Sequence, residues 1–330
     1  MGLFSKIFKQ NYGTSVRDNQ VRTLSNTKDS IVDNHKEQFV LKVSMFSALL
    51  LAIFGIGFGI FVKSMAVIFD GFVALVSVGL GALSVVTSRY IYKEDDDIFQ
   101  YGYVRFEPMV NLFKSLVLVF VCIYAFINAL KSIIHGGYAV ELGGAAVYSL
   151  CAFIFCAALF TYTHIYTKIL ESDLIQVDNT EWKIDCVLYL GALVAFGIIY
   201  LLPQTNTAFA LYVDPILLAV LSLLLCITPT RIAIANFKDL IMVAPIDIDE
   251  RITEIMERIS KEFGFKDYDT HTAKSGRFYM VEVNILTQEN FKPKNMQEFD
   301  AIRERIAESL MIPSYKIWLS VSFTANPKWL

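Results

Sequence analysis

The sequence predicts an all-α membrane protein: a bundle of six transmembrane helices followed by a small α+β domain. Three observations carry this. Of 330 residues, 55% are hydrophobic and the mean hydropathy is +0.49, more apolar surface than a soluble domain buries without many long runs. Six apolar runs, near 41–62, 66–88, 109–134, 143–166, 184–202 and 211–230, each approach the roughly 20 residues that a helix needs to cross a bilayer. Beyond about residue 240 the composition turns polar and the periodicity changes.

Residues 1–38 read as a polar tail. It lacks the apolar stretch and small-residue cleavage site of a signal peptide, and Lys6 stands where a myristoylation pattern needs Ser or Thr. The six spans occupy 39–240 and place both chain ends on one side. Lys6, Lys9, Arg17, Arg22, Lys28 and Lys36 precede the first span and Lys42 stands at its entry, Arg89, Lys93 and Arg105 follow the second, and Arg231 and Lys238 follow the last. The opposite connections hold only Lys63 and Lys131. Positive charge gathers on the cytosolic side, so both termini are expected in the cytosol and the chain in the cytoplasmic (inner or plasma) membrane.

Residues 241–330 form the second domain. DIDERITEIMERISKEFGF (247–265) has helical spacing, with Asp247 or Asp249 as its cap. In FYMVEVNIL (278–286), Tyr279, Val281, Val283 and Ile285 share one strand face, and a Ser275-Gly276 turn pairs that strand with YDTHTA (268–273). NMQEFDAIRERIAESL (295–310) is a second helix and SYKIWLSVSF (314–323) a last strand. The order is αββαβ, a ferredoxin-like open-faced sandwich.

A net charge of −3 without a dense basic patch gives no reason to expect nucleic acid as a partner. The five cysteines (Cys122, Cys151, Cys156, Cys186, Cys226) lie in apolar runs with no CxxC pair, as small packing residues do. The chain reads as a non-enzyme.

Charges inside the apolar runs point to function, because intramembrane ionisable groups are costly. EWKID (181–185) leads into CVLYLGALVAFGIIYLL, and the four-residue spacing puts the Glu181 and Asp185 carboxylates on one helix face. The bland alternative makes Trp182 an interfacial belt anchor and Lys183 a snorkelling cation. Asp70 lies inside the second run, and an unpaired carboxylate there must take a proton, face water or meet a cation. Ser77 is two turns further along the same stripe. Lys114, in NLFKSLVLVF, is either a snorkelling residue near the cytosolic interface or an internal counter-charge to Asp70 or the fifth-span pair. His135 and His164, near span ends, read as interfacial, and the acidic EDDD (94–97) as a solvated connection.

In their order and spacing, SMAVIFDG (64–71), YGYVRFE (101–107), the Asp-x-x-Glu-x-x-x-Asp of 178–185, VDP (213–215) and the αββαβ tail resemble the cation diffusion facilitator family. The resemblance implies a dimeric exporter that exchanges a divalent metal for protons by alternating access, with no permanently bound cofactor. It implies two ligands from the second span and two from the fifth. The fifth-span pair falls on Glu181 and Asp185, the second-span pair on Val73 and Ser77, and Asp70 matches a different family aspartate. The implied cargo class is a divalent cation (manganese, iron, zinc, cobalt or magnesium), and a rearranged site of Asp70, Glu181 and Asp185, with Ser77 or water, would favour harder ions such as manganese, magnesium or ferrous iron over zinc. Lost or partner-dependent transport, leaving a membrane scaffold, is the alternative; monovalent cation–proton exchange is a weaker one. The resemblance also implies a homodimer through the tail, or a heteromeric family partner, with Arg105 and Asp239 as a dimer charge pair. Tyr268, Asn284 and Ser320 fall where family tails often bind zinc, with His271 displaced, so no tail zinc is expected.

Overall fold

The computed structural model describes residues 28–62, 65–91, 97–99, 102–136, 142–201, 207–289, 291, 295–313 and 316–330. Residues 1–27, Ser64, Lys63, Glu94, Asp95 and Asp96 lie outside them, so the expectations for the extreme N-terminus and most of EDDD do too. Two compact units emerge, one of Asp33–Lys93 with Phe106–Phe237 and one built on Lys238–Leu330.

The first unit is helical: α1 Lys28–Val62, α2 Met65–Ile91, α3 Phe106–Ile134, α4 Leu142–Leu170, α5 Asp173–Leu201, α6 Thr207–Leu225 and the start of α7 Ile227–Leu240. Among the described residues, five stretches are long and apolar enough to cross a membrane: His35–Val62, Asp70–Ile91, Phe106–Ile134, Gly143–Leu170 and Leu211–Leu240. These five apolar helices make a helical, membrane-type bundle. The predicted fifth run lies within the 29-residue α5, which is not one of these five. Its helix starts at Asp173, eleven residues before the apolar run, and the first half carries Asp178, Glu181, Lys183 and Asp185. EWKID therefore lies in the third and fourth turns of a longer helix rather than at its start. The first helix likewise begins inside the predicted tail.

Apolar side chains divide the bundle into layers. Val40 and Leu41 of α1, Val85 and Ile91 of α2, Val110 of α3, and Leu174 and Ile175 of α5 pack together at one end. A second layer joins Ala48 and Leu51 of α1, Val67 of α2, Tyr148, Ala152 and Cys156 of α4, and Trp182 of α5. Between α1 and α2 the backbones nearly touch: a Cβ on Gly71 would stand 2.6 Å from the Ile56 nitrogen, and one on Gly55 would stand 2.9 Å from the Gly71 Cα. Small residues permit such approach between membrane helices.

The second unit has α8 Ile246–Phe263, β1 Asp267–Ser275, β2 Phe278–Leu286, α9 Met296–Leu310 and β3 Ile317–Thr324. The sheet order is β1-β2-β3, with β1 antiparallel and β3 parallel to β2, and Val281 opposite Thr272 on one side and Leu319 on the other. Val281, Val283 and Ile285 meet Ile252, Ile255 and Met256 of α8 and Ile302, Ile306 and Leu310 of α9 in one core. The alternation of β2 and the helical period of α8 and α9 thus face one another. One cap differs from expectation. Pro245, not Asp247 or Asp249, precedes α8 and offers no side-chain cap, while the Asp249 carboxylate accepts a bond from Thr272 Oγ1 at 3.0 Å. Both aspartates still lie in the first turn, where the helix dipole favours negative charge.

Candidate cation site

A small cavity of about 20 Å³ opens inside the bundle, lined by Ser77 and Gly81 of α2, Ser44 and Met45 of α1, and Asp178, Glu181, Trp182 and Asp185 of α5, among others. That is room for one water or one bare ion. Residues 178, 181, 182 and 185 reach it together because three- and four-residue steps keep one helix face. Trp182 is only 4% exposed and its Nε1 donates to Ser44 Oγ at 2.9 Å, so it ties α5 to α1 at the cavity wall. It is not a belt anchor. The Ser77 hydroxyl faces the same cavity as the Glu181 and Asp185 carboxyls.

Asp70 lies in the second turn of α2 and does not line this cavity. Its Oδ2 accepts bonds from the hydroxyls of Tyr148 (2.6 Å) and Tyr189. The Tyr148 ring stacks against Phe54 and Phe58 and meets the Tyr189 ring edge-on. The carboxylate is therefore held inside the bundle by two donors from α4 and α5, and it does not share one chamber with the other acids. Among the described residues, no three His, Cys, Asp or Glu side chains surround a common point as a metal site requires. Val73 and Ser77 of α2 offer one hydroxyl between them.

Lys114 is 0% exposed, which ends the snorkelling alternative. Its Nζ donates to Ser84 Oγ at 3.0 Å and forms a salt bridge with Asp178 Oδ1. The counter-charge expected for Asp70 or the fifth-span pair thus faces Asp178, one turn before Glu181. Asp178 entered the sequence reading only as the first residue of the 178–185 motif, and Tyr148, Tyr189 and Ser84 were not singled out. Tyrosines within apolar runs were the available signal, since buried hydroxyls seek partners.

Elsewhere, Asp239 forms a salt bridge with Lys274 at 3.2 Å, and Arg105 donates to Met242 Sδ at 3.2 Å. Asn284 accepts from Ser322, and His271 is exposed beside Asp269 at 3.8 Å. Burial, then the Glu257 and Asp267 carboxylates, push the Tyr268 hydroxyl pKa up, so its phenol stays neutral. His135 and His164 are exposed, the first against the Lys131 carbonyl and the second beside the Phe160 ring.

No curated protein matches the chain. The family model of the cation efflux transmembrane domain matches residues 41–241. That match runs from the buried Leu41 of α1 through every helix that supplies the cavity to the end of α7, and it covers more than half of the sequence; the chain belongs to the cation efflux family and is a cation efflux transporter.

Proposed function

We propose that the chain exports a divalent cation in exchange for protons by alternating access, as a homodimer with both termini in the cytosol. In this reading α5 is a sixth span and the αββαβ unit a ferredoxin-like dimerisation domain. One observation carries the reading: the ion-sized cavity whose wall holds Asp178, Glu181, Asp185 and the Ser77 hydroxyl. An oxygen-only wall suits harder ions such as manganese, magnesium or ferrous iron. Acids this close repel one another, so a proton resides among them until the cargo replaces it. Asp70 stands outside the cavity and acts on Asp185 through space, joining the ligands only if Tyr148 and Tyr189 release it. The test is metal uptake into inverted vesicles across a panel of divalent ions, with sodium and potassium as monovalent arms. Asp185→Asn is expected to abolish uptake; unchanged uptake would defeat this assignment.

The absence of an assembled three-acid cluster among the described residues, with Val73 at a family ligand position, favours a second reading. There the chain is a scaffold or needs a family partner. Intact dimers with no flux of any ion would select it.

A further inference from the structure

We propose that Lys114 is a tethered cation that occupies Asp178 in the empty transporter, and that Asn111, Ser115 and Ser88 form the niche that receives its ammonium when cargo displaces it. The proposal rests on the transport reading above and names the group that regulates the same site. Asp178 lines the ion-sized cavity with Glu181 and Asp185, so Lys114 holds, from outside the lining, one of the acids that cargo meets. A buried ammonium is costly, and an ion pair repays that cost only with good geometry and further hydrogen bonds. Here the bonding is incomplete: Asp178 Oδ2 has no partner among the described residues.

A second set of groups lies along the same helices. Asn111 precedes Lys114 by one turn on α3 and Ser115 adjoins it, while Ser88 follows Ser84 by one turn on α2. Each is 0% exposed. Neither amide atom of Asn111 and neither serine hydroxyl has a hydrogen-bond partner among the described residues. Native interiors leave few polar groups in that condition. The amide oxygen and two hydroxyls are acceptors, and an ammonium has three donors on a flexible stem. The two arrangements exchange one charged group between two polar settings. In the empty state Nζ holds Asp178; with cargo bound at Glu181 and Asp185, Asp178 turns to the cargo and Nζ moves to Asn111 Oδ1 and the serines. On release the ammonium returns, so the empty carrier never presents three bare acids to one another.

The test uses full-length protein in lipid nanodiscs, titrated calorimetrically with Mn²⁺, Zn²⁺ and Mg²⁺, and the same protein in proteoliposomes for flux. Lys114→Gln removes the competitor and is expected to tighten the Kd of the transported ion by about tenfold, with a lower maximal flux because release loses its driving group. Asn111→Leu removes the niche but keeps the salt bridge, and is expected to weaken the Kd by a similar factor. It also deletes an unsatisfied buried amide, so it serves if Lys114→Gln does not fold. A purely structural lysine would alter stability in the first variant and leave Kd unchanged in the second. Folded variants that bind within about twofold of wild type overturn the proposal and leave the transport reading standing. Wild-type protein that binds none of the ions overturns both.

Discussion

At the scale of single residues, buried polar groups on α2, α4 and α5 hold one another in place. Asp70 rests on two tyrosine hydroxyls, and a hydrogen bond to a charged group contributes about 1.5–3 kcal/mol. Tyr189→Phe is therefore expected to lower the thermal unfolding midpoint clearly, read by differential scanning fluorimetry. Asp70→Asn should cost less, because an amide oxygen still accepts from both hydroxyls. Trp182→Phe leaves Ser44 Oγ without its donor and is expected to cost about 1 kcal/mol. The charged members of this network were legible in the sequence, since Asp70, Lys114 and Asp185 interrupt apolar runs and Glu181 stands one turn before Asp185. Their partners were not. Lys114 and Asp178 are 64 residues apart, and Asp70 and Tyr189 are 119 apart. Local periodicity says which face a residue occupies but not which helix packs against it.

At the scale of elements, backbone geometry makes the sharpest predictions. A Cβ at Gly71 would collide with the α1 backbone, whereas one at Gly57 meets nothing within 4 Å. Gly71→Ala is thus expected to reduce the yield of folded protein, while Gly57→Ala is neutral or stabilising by up to about 1 kcal/mol; size-exclusion profiles and melting curves would compare the pair. In the second unit Gly264 ends α8 at φ 67°, and Asn295 caps α9 by accepting from the Glu298 nitrogen at 3.2 Å. Gly264→Ala and Asn295→Ala should each cost about 1 kcal/mol, additively because the two caps share no partner. Periodicity predicted α8, α9 and the hairpin to within a few residues. It misplaced the start of α5 because the acids of that helix face a cavity rather than water, and hydropathy cannot separate the two settings.

At the scale of the whole molecule, the helical unit and the tail each enclose their own apolar core. The tail core joins both helices to the middle strand, so a fragment of residues 241–330 is expected to unfold cooperatively in denaturant without the bundle. A broad, non-cooperative transition by circular dichroism would contradict that. The apolar runs conveyed a helical, membrane-type bundle, and the polar composition after about residue 240 conveyed a small α/β region with its own core; the ion-sized cavity was not foreseeable from either. The glycine contact between α1 and α2 has a mechanical consequence. Two rods joined backbone to backbone have no side-chain cushion to deform, so they travel as one stiff lever. On the alternating-access reading proposed above, rocking would then fall where bulkier side chains separate neighbouring helices, away from that lever.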